Sequence, residues 1–177
     1  MRSFTTAALA LCAGALLTTG TGQAAATATV DPAPRDVSAS NCSGEDFAVT
    51  LRAQADPGSF LLELRNTSEE RCLLGGWVRL TPVTAKGTPI EVPTGYVEVP
   101  APPVADQQLE PGGTAYSGVR VEYGDTDFTA VGFDATPADM TGKSPTTVEG
   151  AGDPYPRLPV RSLRVGTLQP TPENVLF

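Results

Sequence analysis

Apolar and polar residues alternate with a period of two over much of the chain, and no stretch carries a convincing helical period. Residues 46–54 (DFAVTLRAQ) set Phe47, Val49, Leu51 and Ala53 against Thr50, Arg52 and Gln54, which predicts a half-buried strand. Asp56-Pro57-Gly58-Ser59 predicts a reversal, with Pro57 pre-setting the backbone and Gly58 free to take positive φ. A second strand follows at residues 60–65, with Phe60, Leu62 and Leu64 on one face. A polar turn then runs from Asn66 to the start of CLLGGWVRLTPV at Cys72. Within that run Gly75-Gly76 predicts a bulge or a close backbone approach. Ala85-Lys86-Gly87-Thr88 predicts another turn.

Residues 89–105 hold five prolines, so the extended pieces at 90–92 and 96–99 are expected at a sheet edge, where a missing N–H costs little. Glu110-Pro111-Gly112-Gly113 is a type II turn signature. Residues 114–123 and 128–135 read as a hairpin, with Val119, Val121 and Tyr123 on one face of the first strand and Val131 and Phe133 on the second. Residues 136–159 read as an irregular connection, and 160–168 as a last strand. Six to eight short strands of this kind predict an all-β fold, an antiparallel β-sandwich of about seven strands.

The first residues change the picture of where the protein works. One positive charge at Arg2 precedes an apolar stretch over residues 7–17 and then small residues, the three-part pattern of a secretory signal peptide. The apolar stretch is shorter than the roughly 20 residues of a spanning helix. Ala24 and Ala26 suit cleavage after Ala26, with Ala28 as the next candidate. Cys12 follows Leu11 inside the apolar run, which does not suit a lipid anchor. The expected organisation is therefore a signal peptide over 1–26, a leader rich in Ala, Pro, Ser and Thr over 27–40, a sandwich over 41–168 and a tail over 169–177. The localisation that follows is secreted, extracellular or associated with the cell wall.

Export also governs the cysteines. Once Cys12 leaves, Cys42 and Cys72 remain, and an even pair in an oxidising compartment predicts a disulfide rather than two free thiols. The chain-entropy model assigns a loop of that length about 3.5 kcal/mol of stabilisation. Removing Arg2 leaves 11 basic residues against 20 acidic. Such a balance opposes nucleic acid and anionic membrane surfaces as partners. No later segment has spanning length, so no membrane insertion of the mature chain is expected.

The chain has no histidine. Ser-His-Asp and Cys-His nucleophile systems are therefore excluded, and there is no nucleophile elbow, P-loop or dinucleotide fingerprint. Soft-metal carriage has only Met140 to offer beyond the disulfide. The expectation is a protein without enzymatic activity, resident metal or cofactor. Glu122, Asp125, Asp127 and Asp134 surround the predicted hairpin and could serve a hard cation, but Asp beside Gly is first of all a turn former. Trp77, the only tryptophan, is expected in the core beside the disulfide. Asn66-Thr67-Ser68 matches the glycosylation sequon, and a turn accounts for it.

The segment LELRNTSEERCLLGGWVRLTPVTAKGTPI resembles the domain of unknown function 4232 family of exported actinobacterial proteins. The matching positions are Asn66, Thr67, Cys72, Leu74, Gly75 or Gly76, Trp77, Leu80 and Gly87, followed by Leu109, Pro111, Gly112 and Ala115. Cys42 corresponds to the family's upstream cysteine, and the resemblance covers roughly residues 40–168. It implies an immunoglobulin-like sandwich and carries no assigned activity. The family often has Tyr-Pro where this chain has Trp77-Val78, and further C-terminal cysteines that are absent here.

Three roles fit these features: a binding module for an extracellular protein or a cell-wall ligand, an inhibitor presenting the stiff Pro100-Ala101-Pro102-Pro103 segment to an extracellular hydrolase, or a structural envelope protein. No residue pattern singles out a binding site. Reading the four acidic residues as turn formers predicts the same melting temperature with Ca²⁺ and with a chelator. A rise with Ca²⁺ contradicts that reading.

Overall fold

The computed structural model describes residues 42–98, 107–151, 157–173 and 175–177. The expected signal peptide and leader, and the Pro100–Pro103 segment, lie outside the described residues. A short 3-10 turn over Gly44–Asp46 leads into ten strands. They are β1 (Phe47–Ala53), β2 (Ser59–Asn66), β3 (Cys72–Leu74), β4 (Val78–Val83), β5 (Thr94–Val97), β6 (Gln107–Leu109), β7 (Thr114–Tyr123), β8 (Gly132–Pro137), β9 (Ser144–Glu149) and β10 (Val160–Gly166). Eight of them form one sheet in the order β4-β8-β9-β1-β2-β7-β10-β5, and β3 pairs with β6 in a separate ribbon. The large sheet curls into a half barrel.

The all-β class follows from the alternation. β1 and β2 pair antiparallel with Val49 opposite Leu64 and Leu51 opposite Leu62, and Leu51, Leu62 and Leu64 are fully buried. Beyond β2, β7 places Ala115 and Val119 against Leu64 and Phe60. β10 in turn sets Val165 and Leu163 against Val119 and Val121. These residues share one cluster with Val78, Leu80, Phe133 and Ala135 from the other end of the sheet. Each fully buried side chain of this size contributes about 1.5–3 kcal/mol relative to exposure. Ser117 falls on the buried face and satisfies its hydroxyl on the Gly166 carbonyl at 2.7 Å, as a buried polar group must.

The turns also match their sequences. At Asp56–Ser59 the Ser59 N–H bonds the Asp56 carbonyl at 3.0 Å, with Gly58 at φ +82°. At Glu110–Gly113 the Gly113 N–H bonds the Glu110 carbonyl at 2.8 Å, with Gly112 at φ +76°. Positive φ at the third position is the type II requirement that glycine meets. Arg120 of β7 pairs with Asp56 and holds its carboxyl below the usual carboxylate range.

Four expectations are corrected. Residues 114–123 and 128–135 do not form a hairpin: β7 lies between β2 and β10, and β8 between β4 and β9. The intervening segment crosses over instead, tied by Gly124 N–H to the Pro159 carbonyl and by the Ala130–Leu158 bridge. Gly75-Gly76 is a break rather than a bulge, separating β3 in the ribbon from β4 at the end of the main sheet, with Gly76 at φ +59°. Residues 136–159 contain a strand, β9, which pairs parallel with β1; β5 also runs parallel to its neighbour β10. The sheet is therefore mixed rather than purely antiparallel. Described residues of the expected tail lie against the sheet. Gln169 bridges Tyr116, Val175 is fully buried, and the Arg164 guanidinium sits over the Phe177 ring at 5.4 Å. Gly118 makes room for this segment, since a Cβ there would collide with the Val175 carbonyl.

Cys42 and Cys72 form the predicted disulfide, with Cα atoms 5.7 Å apart. Beside it the Asn66 amide is completely buried. Its Nδ2 donates to the Glu70 carbonyl at 2.7 Å and the Leu109 carbonyl at 3.1 Å. Its Oδ1 accepts from Ser68 N–H at 2.9 Å and from the Ser68 hydroxyl at 2.8 Å. One side chain thus shapes the loop that carries Cys72, and the sequon asparagine is enclosed. Cys72→Ser is expected to lower the free energy of unfolding by about 2–5 kcal/mol in denaturant titrations. A variant as stable as the wild type contradicts a stabilising bridge.

Candidate functional site

Trp77 is half-buried and stands apart from the disulfide core where it was expected. The reason lies in the break before β4. Gly76 accepts from Leu168 N–H at 2.9 Å and Trp77 from Ala138 N–H at 2.9 Å. These two bonds tie the residue between the end of β10 and the end of β8. Its indole Nε1 donates to the Val97 carbonyl of β5 at 3.5 Å. The ring meets that of Tyr96, also on β5, with centroids 5.6 Å apart and planes inclined by 51°. β4 and β5 are the two ends of the curled sheet, and Trp77 bridges them.

Beside this bridge lies a cleft of about 350 Å³ bounded by Trp77, Arg79, Tyr96, Ala138 and Asp139. A second cleft of about 420 Å³ shares Arg79 and Tyr96 and continues between β4 and the segment leading to β5, past Pro82, Ile90 and Thr94. Both volumes fall in the range of small-ligand sites. Alternation places Arg79 outward between buried Val78 and Leu80. Tyr96 is 48% exposed. Asp139 holds φ +62° in the turn after β8, a left-handed conformation that aspartate tolerates better than most residues. Among the described residues, the side chains of Arg79 and Asp139 and the Tyr96 hydroxyl have no hydrogen-bond or ion-pair partner. The cleft therefore offers two aromatic faces and uncommitted polar groups of both signs. That chemistry suits binding by stacking and hydrogen bonding.

The four acidic residues considered for a cation do not converge. Glu122 accepts from the Ser162 hydroxyl at 2.7 Å, and Asp134 pairs with Lys143. Among the described residues no group of three or more His, Cys, Asp or Glu is placed to hold a metal. Asp134 lies on β8, which is not adjacent to β7, so no hairpin brings it beside Glu122.

Comparison with known families adds one finding. The model of a domain of unknown function (DUF4232) matches residues 42–169, well over half of the chain. The chain belongs to this family. No curated protein and no solved structure matches it. The DUF4232 match spans the disulfide, Trp77, Tyr96 and Asp139 alike, so both walls of the cleft belong to the family domain.

The sequence drew attention to Trp77 only as a core residue and gave no sign of its companions. Tyr96 lies in a four-residue strand between prolines, and Arg79 and Asp139 come from separate elements, so only the closing of the sheet brings them together. The arrangement predicts that acrylamide quenches Trp77 fluorescence measurably and that Tyr96→Ala increases quenching. Quenching that is negligible, or unchanged in the variant, contradicts a half-buried Trp77 covered by Tyr96.

Proposed function

We propose that the chain is an exported, non-catalytic binding module whose ligand occupies the cleft at Trp77 and Tyr96. The observation that carries this reading is the partly exposed aromatic pair flanked by uncommitted Arg79 and Asp139. Aromatic and arginine side chains are enriched at the energetic centres of interfaces because they combine large apolar contact with polar reach. Export is supported by the signal pattern of residues 1–26. Among the described residues no helix is long and apolar enough to cross a membrane. A setting outside the cell or on its wall follows from the export signal, and the absence of histidine supports binding without catalysis.

Addition of a partner strand is the less favoured mode. β5 has four residues and is entered through Pro93, and β4 contains Pro82. Short edge strands and prolines are the features that block strand addition. A ligand held by side chains meets no such obstacle.

Co-sedimentation with purified actinobacterial cell walls tests the proposal. The wild type is expected in the pellet, and Tyr96→Ala and Arg79→Gln, folded by circular dichroism, in the supernatant. A wild type that stays in the supernatant, or variants that pellet equally, contradict it.

A further inference from the structure

We infer that the occupant of the Trp77–Tyr96 cleft is a neutral oligosaccharide built of pyranose rings, lying along the seam between β4 and β5. This rests on the reading of the chain as a binding module and names the ligand class of that site.

The aromatic pair comes first. Rings 5.6 Å apart and inclined by 51° form a notch rather than a closed stack. An aromatic face is a broad apolar surface with negative charge at its centre. It complements the C–H face of a pyranose, whose hydroxyls then lie at the rim within reach of polar side chains.

Charge then narrows the ligand. A cation of the kind held in aromatic cages meets the Arg79 guanidinium, which borders both clefts. A polyanion meets Glu91 and Asp139 there, on a chain of net charge −8. A neutral polyhydroxyl chain incurs neither repulsion. Its hydroxyls accept from Arg79 and donate to the two carboxylates, which supplies the partners these side chains lack within the protein.

Shape and backbone exclude the remaining classes. The two clefts share Arg79 and Tyr96, so the site is elongated and fits a linear chain of rings better than one compact molecule. Its walls include Arg79, Thr81 and Glu91, whose polar groups a hydrocarbon chain would cover without offering a hydrogen-bond partner. An extended peptide depends on main-chain hydrogen bonds. Here Pro82 and Pro93 have none to donate, and the Val97 carbonyl already receives Thr167 N–H at 3.2 Å and the Trp77 indole.

Because the protein has a single tryptophan, fluorescence of Trp77 reports on the cleft directly. The purified protein is titrated with the β-1,4-linked tetrasaccharides of N-acetylglucosamine and of glucose. A saturable change is expected with at least one of them, weakened about tenfold or more by Tyr96→Ala and retained by Tyr96→Phe. Choline and polyglutamate are expected to give no saturable change. Silence with both tetrasaccharides overturns the inference, as does an unaltered response in a folded Tyr96→Ala variant or saturable binding of choline or polyglutamate instead. If the tetrasaccharides are silent while wall sedimentation still depends on Tyr96, the binding module stands and the oligosaccharide falls. If sedimentation ignores Tyr96 as well, both fall.

Discussion

An open β-sheet has two ends, and each presents unpaired backbone groups that must be covered or blocked. In this protein the ends are β4 and β5, and the curl of the sheet brings them to a common seam. Trp77 spans it with an indole hydrogen bond to Val97 and a ring contact to Tyr96. Prolines 82, 89 and 93 guard the backbone nearby, and Ile90 N–H reaches the Pro82 carbonyl at 2.8 Å. The requirement to manage two edges thus concentrates aromatic rings, prolines and exposed side chains along one line. The same requirement creates the cleft.

The opposite need, a fixed start for β1, is met by covalent and polar anchoring. The disulfide joins Cys42 to the ribbon strand β3. Thr67 N–H and its hydroxyl each approach the Asp46 carbonyl to 2.8 Å. The buried Ser144 hydroxyl lies 2.7 Å from the Phe47 carbonyl, which brings β9 alongside β1. Asn66 organises the loop between these contacts. Removing one partner from such a network leaves buried donors and acceptors exposed to an apolar interior, which costs about 1–3 kcal/mol for each group. The disulfide end is therefore stability, and the seam end carries the chemistry available for recognition.

Strands with clean alternation were legible in the sequence. β1, β2 and β7 show period two because one face of each is buried and the other is not, and the turns at 56–59 and 110–113 beside them carry Pro-Gly signatures. β9 was illegible because Ser144-Pro145-Thr146-Thr147-Val148-Glu149 has little apolar content, and its place is set by pairing with β1 rather than by its own pattern. The false hairpin has the same origin: adjacency in sequence with a Gly-Asp connection suggests pairing, yet partner choice is decided by which faces share the core. Cys42 and Cys72 could be paired from the signal-peptide pattern and parity alone. The cleft could not be read, because Trp77, Arg79, Tyr96 and Asp139 meet only when the two ends of the sheet do. A half-exposed Trp after a glycine pair is also indistinguishable in sequence from a core Trp.

The proposed binding site lies on this seam. The most direct measurement is the amide spectrum of the ¹⁵N-labelled protein during addition of solubilised cell-wall material. Its single indole N–H signal belongs to Trp77. Recognition at the seam predicts that this signal shifts together with the amides of Tyr96, Val97 and Asp139. An indole signal that stays fixed while shifts gather elsewhere, for instance around exposed Phe128 or Tyr123, contradicts the account.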